Sequence, residues 1–184
     1  LSRSSAASDV YKRQKECSAD SKFAVGDRVV AATTVFRSGR HGSFGEYCVA
    51  SENLAYKLPE EISYEVGAAI LMSYLTSDFA LHRRAKLKKD EIVLVNAAAG
   101  GVGISAVQLA KIEGARVIAA VGSDEKIKVA EENGYSHVIN YTKKDFVEEV
   151  MKITKNEGVP AVFDGVGKKT FKGSLACLRT RGMM

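Results

Sequence analysis

Ala98, Gly100 and Gly103 stand at the spacing of a phosphate-binding turn within VNAAAGGVGISAVQLAK, residues 95–111. Holding a dinucleotide by its pyrophosphate calls for three small residues at that spacing. One forms a tight turn, one lets the backbone approach the phosphates, and one lets the following helix pack closely on the preceding strand. Ala98 fits the first task, Gly100 the second and Gly103 the third, which makes Ala98, Ala99, Gly100, Gly101, Val102 and Gly103 the candidate pyrophosphate loop. A helix beginning just beyond would add free N–H groups and a partial positive charge. The competing reading is that these glycines only permit a strand and a helix to pack closely.

The next strand tip bears on the choice of nucleotide. An NAD-preferring site carries an acidic residue about 20 positions beyond the loop, where it bonds the ribose 2′-hydroxyl. Here that tip reads Val121-Gly122-Ser123, with no carboxylate to repel a 2′-phosphate. Asp124 argues the other way, but an acid at the start of a helix is also explained as a cap or as a partner of the helix dipole. Lys126, one turn into that helix, offers a compensating positive charge or is simply a solvated lysine. NADPH is therefore expected in preference to NADH, with Ser123 and Lys126 beside it.

These residues need a scaffold, and the pattern around them supplies one. EIVLVN and ARVIAAVG are continuous apolar runs about fifteen helical residues apart, as in strands covered on both faces, and together they make a βαβ unit. Ser105, Gln108 and Lys111 form a narrow polar stripe on the helix between them. A second helix, from about Asp124 to Asn133, stops at Gly134. SHVINY is a third strand, and a third helix follows from Thr142, paired with Asp145 as a capping box. PAVFDGVG is a fourth strand and turn, and KKTFKGSLACLRTRG a fourth helix, which leaves the outer edge of the fourth strand unpaired. Four strands joined by right-handed crossovers form part of a doubly wound parallel sheet.

Before this lies a β-rich stretch, Phe23 to Lys57, broken by turn residues, and then a helical connector from Tyr64 with a basic end. Residues 15–75 thus read as a partial β domain with its connector, and residues 76–184 as the N-terminal part of a dinucleotide-binding domain. Residues 1–14 read as a leader outside the fold, either of non-native origin or a disordered native tail. The chain as a whole reads as an internal fragment of a two-domain protein.

Composition excludes several functions. The net charge of +5 in 184 residues is largely local, since Arg3, Lys12, Arg13 and Lys15 against Asp9 account for three of the five charges. No basic cluster interleaved with aromatics follows, so nucleic acid is not an expected partner. No apolar run is long enough to span a bilayer, so no membrane is expected either. Cys17, Cys48 and Cys177 are scattered and suit a reducing, cytoplasmic compartment. With His41, His82 and His137 they form no recognisable zinc ligand set, and no metal is expected. His41 lies in a loop that could face a pocket or be solvated.

GDRVV, FGEYCVA, LPEEIS, GAAI and YLT, followed by VNAAAGGVGISAVQLAK, VINY and VFDGVG, resemble the zinc-independent quinone oxidoreductases of the medium-chain dehydrogenase/reductase superfamily, the zeta-crystallin group. The resemblance runs from about Lys22 to Met184. It implies a partial Rossmann doubly wound parallel sheet, an α/β fold, joined to part of a GroES-like β domain. It implies an NADPH-dependent reductase of quinones or other α,β-unsaturated carbonyls, a homodimer at full length. By the resemblance, the pyrophosphate lies over Ala99 to Val102, and Lys126 and Tyr141 lie beside the adenosine 2′-phosphate. Thr76 lies beside the nicotinamide carboxamide, and Gly165 and Val166 near the nicotinamide ribose. No residue is assigned as the proton donor. Two other readings stand beside it: a nucleotide-binding structural or regulatory protein without turnover, and an inactive truncated product.

Overall fold

The computed structural model describes residues 9–13, 20–32 and 48–184. The chain divides into two compact units, Leu1–Leu75 and Thr76–Met184.

In the first unit, β1 (Asp9–Arg13), β2 (Arg28–Ala32) and β3 (Ala55–Lys57) form an antiparallel sheet in the order β1-β2-β3. Alternation along β2 covers both faces. Val29 and Ala31 pack with Phe23 and Ala55, while Val30 and Ala32 pack with Leu58 and Leu71. Arg28 ties down the stretch after β3, donating to the carbonyls of Pro59 at 2.6 Å and Ile62 at 2.7 Å and stacking on the Tyr64 ring. The presence of β1 corrects the reading of residues 1–14 as lying outside the fold. Asp9 to Arg13 pair with β2 along their whole length, Asp9 opposite Ala32 and Arg13 opposite Arg28. Pairing of this kind uses backbone N–H and C=O groups, so it requires no apolar periodicity that a sequence could display.

α1 (Tyr64–Asp78) continues into a π-helical turn, Phe79–Arg84. The second unit is then a five-stranded parallel sheet of β4 (Ile92–Asn96), β5 (Arg116–Val121), β6 (His137–Asn140), β7 (Val159–Phe163) and β8 (Leu178–Met183), in the order β6-β5-β4-β7-β8. Its helices are α2 (Gly101–Ile112), α3 (Glu125–Glu132), α4 (Phe146–Ile153) and α5 (Phe171–Ala176). Val93 and Val95 of β4 meet Ala106, Val107 and Ala110 of α2 and Ala130 of α3 on one face, while Leu94 meets Ile118, Val150 of α4 and Cys177 on the other. Burial on both faces is why β4 and β5 are continuously apolar. The order runs outward from β4 to β6 on one side and from β7 to β8 on the other, so the direction of winding reverses between β4 and β7. Such a reversal opens a crevice at the carboxyl ends of the strands.

Two further expectations are corrected. The last helix ends at Ala176, and residues 178–183, expected to continue it, form β8 parallel to β7. The unpaired edge expected for the fourth strand is thus covered. The third helix begins at Phe146 with Asp145 as its N-cap, whose carboxylate accepts from the Val147 N–H at 2.8 Å and from Glu148. Thr142 instead donates to Asn140 Oδ1 at 2.7 Å, so the capping-box pair does not form. Loss of an N-cap carboxylate costs about 1 kcal/mol. Asp145→Ala should accordingly lower the unfolding free energy by about that amount in urea titration, and an unchanged midpoint would show that the cap contributes nothing.

Candidate functional site

At the end of β4 the chain turns through Ala97, in the left-handed region at φ 53°, and buries Ala98 completely before α2 begins. The close approach expected at Gly103 is severe. A Cβ there would stand 2.5 Å from the Ala98 carbonyl oxygen and 2.7 Å from its carbonyl carbon and Cα, all backbone atoms that cannot swing aside. Gly100 differs. It has an ordinary φ of −85°, and among the described residues the only atom near its missing Cβ is the Ala97 carbonyl oxygen at 3.3 Å. Packing therefore excludes a side chain at Gly103, whereas at Gly100 a Cβ would make one tight contact and no clash under 3.0 Å.

The first turn of α2 leaves its donors free. The Ile104 N–H bonds the Gly100 carbonyl at 2.9 Å and opens the helical ladder. Among the described residues the N–H groups of Ala99, Gly101, Val102 and Gly103 have no partner. Two residues grip this turn from outside. Ser77 sits fully buried with its hydroxyl 3.0 Å from the Val102 carbonyl and 2.8 Å from Ser105 Oγ. Tyr135, just after α3, places its hydroxyl 2.8 Å from the Ala98 carbonyl and 2.7 Å from that of Gly103. Burial pushes the Tyr135 phenol far above its ordinary pKa, so it stays a donor. Ser105, expected on an outward polar stripe, is itself buried.

At the tip of β5, Gly122 and Tyr141 are in contact, and a Cβ on Gly122 would stand 2.6 Å from the Tyr141 hydroxyl. Ser123 follows half-buried, and Lys126 is exposed in the first turn of α3. Asp124 makes no cap bond. One of its oxygens accepts from Asn140 Nδ2 at 2.7 Å and the other pairs with Lys143. Lys143 and then Asn140 hold its carboxyl below the usual carboxylate range. The expected role as cap is replaced by a clamp joining the ends of β5 and β6, with both oxygens occupied.

Beyond β7, Asp164 organises the turn that carries Gly165 and Val166. It accepts from the N–H groups of Val166 at 2.8 Å and Gly167 at 3.0 Å, and from the hydroxyls of Thr170 and Ser174, each 2.7 Å from Oδ2. Burial raises this carboxyl, but the bonds from Ser174, Gly167, Thr170 and Val166 outweigh it and hold the group below its usual range. Ser174 also accepts from Asn96 Nδ2 at 2.8 Å, which ties the end of β4 to the end of β7 through α5. Among the described residues, Gly165 has no atom within 4 Å of where a Cβ would stand.

The structure thus gathers the loop 98–103, Ser123, Tyr141, Gly165 and Val166 at the carboxyl ends of the parallel strands, with Lys126 on the following helix. Thr76 is exposed on α1, beside the Ser77 that holds Val102. His41 and Cys17 lie outside the described residues. Among the described residues no three His, Cys, Asp or Glu side chains cluster as metal ligands would, and no helix is long and apolar enough to cross a membrane. Sequence reading found the turn at Gly165 and Val166 but missed Tyr135, Ser77, Asn96 and the part Asp164 plays in holding that turn. The apolar-to-polar change at the end of each buried strand, Asn96 after VLV and Asp164 after AVF, was the available signal for the last two.

Residues 101–184 match the zinc-binding dehydrogenase family. Over 163 residues the chain is 37% identical to a quinone oxidoreductase of Pseudomonas aeruginosa, covering 89% of this chain and 49% of the relative. Over 160 residues it is 41% identical to the quinone oxidoreductase of Salmonella typhimurium, covering 87% and 47%. Among solved structures, a mycobacterial protein complexed with NADPH superposes with a TM-score of 0.85 at 35% identity, covering 96% of this chain and 55% of that one. The Escherichia coli quinone oxidoreductase complexed with NADPH does so with a TM-score of 0.79 at 39% identity, covering 88% and 48%. The chain is therefore similar over most of its length to quinone oxidoreductases, and it spans about half the length of the curated relatives it matches.

Proposed function

We propose that the complete protein is an NADPH-dependent reductase of a quinone or another α,β-unsaturated carbonyl. The observation that carries this reading is the pair Gly100 and Gly165. Among the described residues, the place of a Cβ is open at Gly165 and meets only the Ala97 carbonyl oxygen at Gly100, and the two stand at the strand ends flanking the point where the winding reverses. A ligand that approaches the backbone there gives both a reason to lack a side chain. The relatives' quinone oxidoreductase activity and the NADPH held in two similar structures support the same reading.

The chain's own residues divide the work. The free N–H groups of Ala99, Gly101, Val102 and Gly103 would hold the pyrophosphate. Ser123, Lys126 and Tyr141 would meet the adenosine 2′-phosphate, with Asp124 kept out of competition by Asn140 and Lys143. Gly165, Val166 and Thr76 would lie along the nicotinamide half. Bound NADPH supplies the hydride that reduces the substrate. The first unit would be part of a GroES-like domain, and the complete protein a cytoplasmic homodimer that uses no zinc.

Two experiments test this on the complete protein. Lys126→Ala should raise the Kd for NADPH roughly tenfold or more, the loss of one charge-assisted bond to phosphate, and leave NADH within about twofold. Equal weakening of both coenzymes, or a wild-type preference for NADH, would contradict the 2′-phosphate assignment. Prolonged treatment with a chelator should leave both the melting temperature and the Kd for NADPH unchanged. Stoichiometric zinc whose removal lowers either one would show that a metal site exists.

A further inference from the structure

We propose that Tyr135 is a positioning residue for the pyrophosphate, its hydroxyl fixing the Ala98 carbonyl so that the Ala99 N–H is aimed at the coenzyme. The inference rests on the coenzyme reading given above and adds to it a residue outside the loop.

Tyr135 follows Gly134, whose φ of +82° turns the chain back under the glycine loop after α3. Its buried hydroxyl is 2.8 Å from the Ala98 carbonyl oxygen and 2.7 Å from that of Gly103, and it shares one proton between them. These carbonyls belong to the two residues whose backbones are in tightest contact, where position 103 has no room for a Cβ. A trans peptide is planar, with its C=O and the next N–H pointing in opposite directions. The described chain has no cis peptides, so an Ala98 carbonyl held inward by Tyr135 turns the Ala99 N–H outward. That N–H has no partner among the described residues. Without the hydroxyl, the Ala98 carbonyl loses its hydrogen bond and the Ala98–Ala99 peptide is restrained on the Gly103 side alone, so the Ala99 donor is less firmly aimed before any coenzyme arrives.

The test uses the complete protein and Tyr135→Phe, which keeps the ring and removes only the hydroxyl. Fluorescence titration should show Kd raised by about three- to tenfold for NADPH and by the same factor for NADH, as loss of one net hydrogen bond implies. The Kd for 2′-AMP, which has no pyrophosphate, should be unchanged. In steady state the KM for NADPH should rise while kcat holds. A folded variant with wild-type affinity, a loss confined to NADPH, or an equal loss for 2′-AMP would overturn the proposal. Wild-type protein that fails to bind NADPH would instead overturn the coenzyme reading on which this one stands. If Tyr135→Phe does not fold, 3-fluorotyrosine placed at 135 gives a second reading. Its 19F resonance should shift with NADPH and not with 2′-AMP, and a resonance unmoved by NADPH would overturn the proposal.

Discussion

The backbone of Gly103 lies so close to that of Ala98 that a single methyl group at position 103 would stand 2.5 Å from the Ala98 oxygen. That contact sets how far α2 can sit from the carboxyl end of β4. With α2 seated there, Ala106, Val107 and Ala110 reach the sheet and close one face of the core. The same seating sets the unpaired N–H groups of the first turn at the carboxyl end of β4. Even the smallest side chain at 103 would have to lift the helix, so the core and the site share one constraint. Ser77 and Tyr135 then hold the turn from two sides, by its Val102, Ala98 and Gly103 carbonyls.

The strand ends are cross-tied by polar groups rather than by apolar packing. Asn96, Ser174 and Asp164 join β4 to β7, and Asp124, Asn140 and Lys143 join β5 to β6. Both ties lie where the apolar strands stop, with Asp124 and Lys143 more than half exposed and Asp164 partly buried. A carboxylate in such a place is stabilised only when its oxygens are fully bonded. Asp164 satisfies that condition, and both Asp164 and Asp124 are held below the usual carboxylate range by their hydrogen-bond partners. The consequence for coenzyme choice is specific. Asp124 has the right sequence position to compete for a ribose hydroxyl, but its oxygens are committed to Asn140 and Lys143.

Much of this was legible in the sequence, and the remainder was hidden for physical reasons. The βαβ unit and the glycine spacing showed because burial on both faces makes strands continuously apolar and because a close backbone approach admits only glycine. β8 did not show. LRTRGM is half charged or polar, and as the outermost strand it is largely exposed, so nothing in its pattern separates it from the end of a helix. β1 did not show because strand pairing is made by backbone groups and requires no apolar pattern in the sequence. The capping pair failed because Thr142 found a nearer acceptor in Asn140, and only a spatial neighbour could decide between them. Tyr135 was invisible for the same reason, being 37 positions from Ala98 and meeting it only through the fold.

The central claim, that the turn from Ala98 to Gly103 is a pyrophosphate site and not only a packing device, is tested most directly by a crystal structure of the complete protein grown with NADPH. This account predicts pyrophosphate oxygens within about 3 Å of the N–H groups of Ala99 and of the first turn of α2, with Gly100 against the phosphates. A pyrophosphate bound elsewhere, with those N–H groups facing only water, would contradict it.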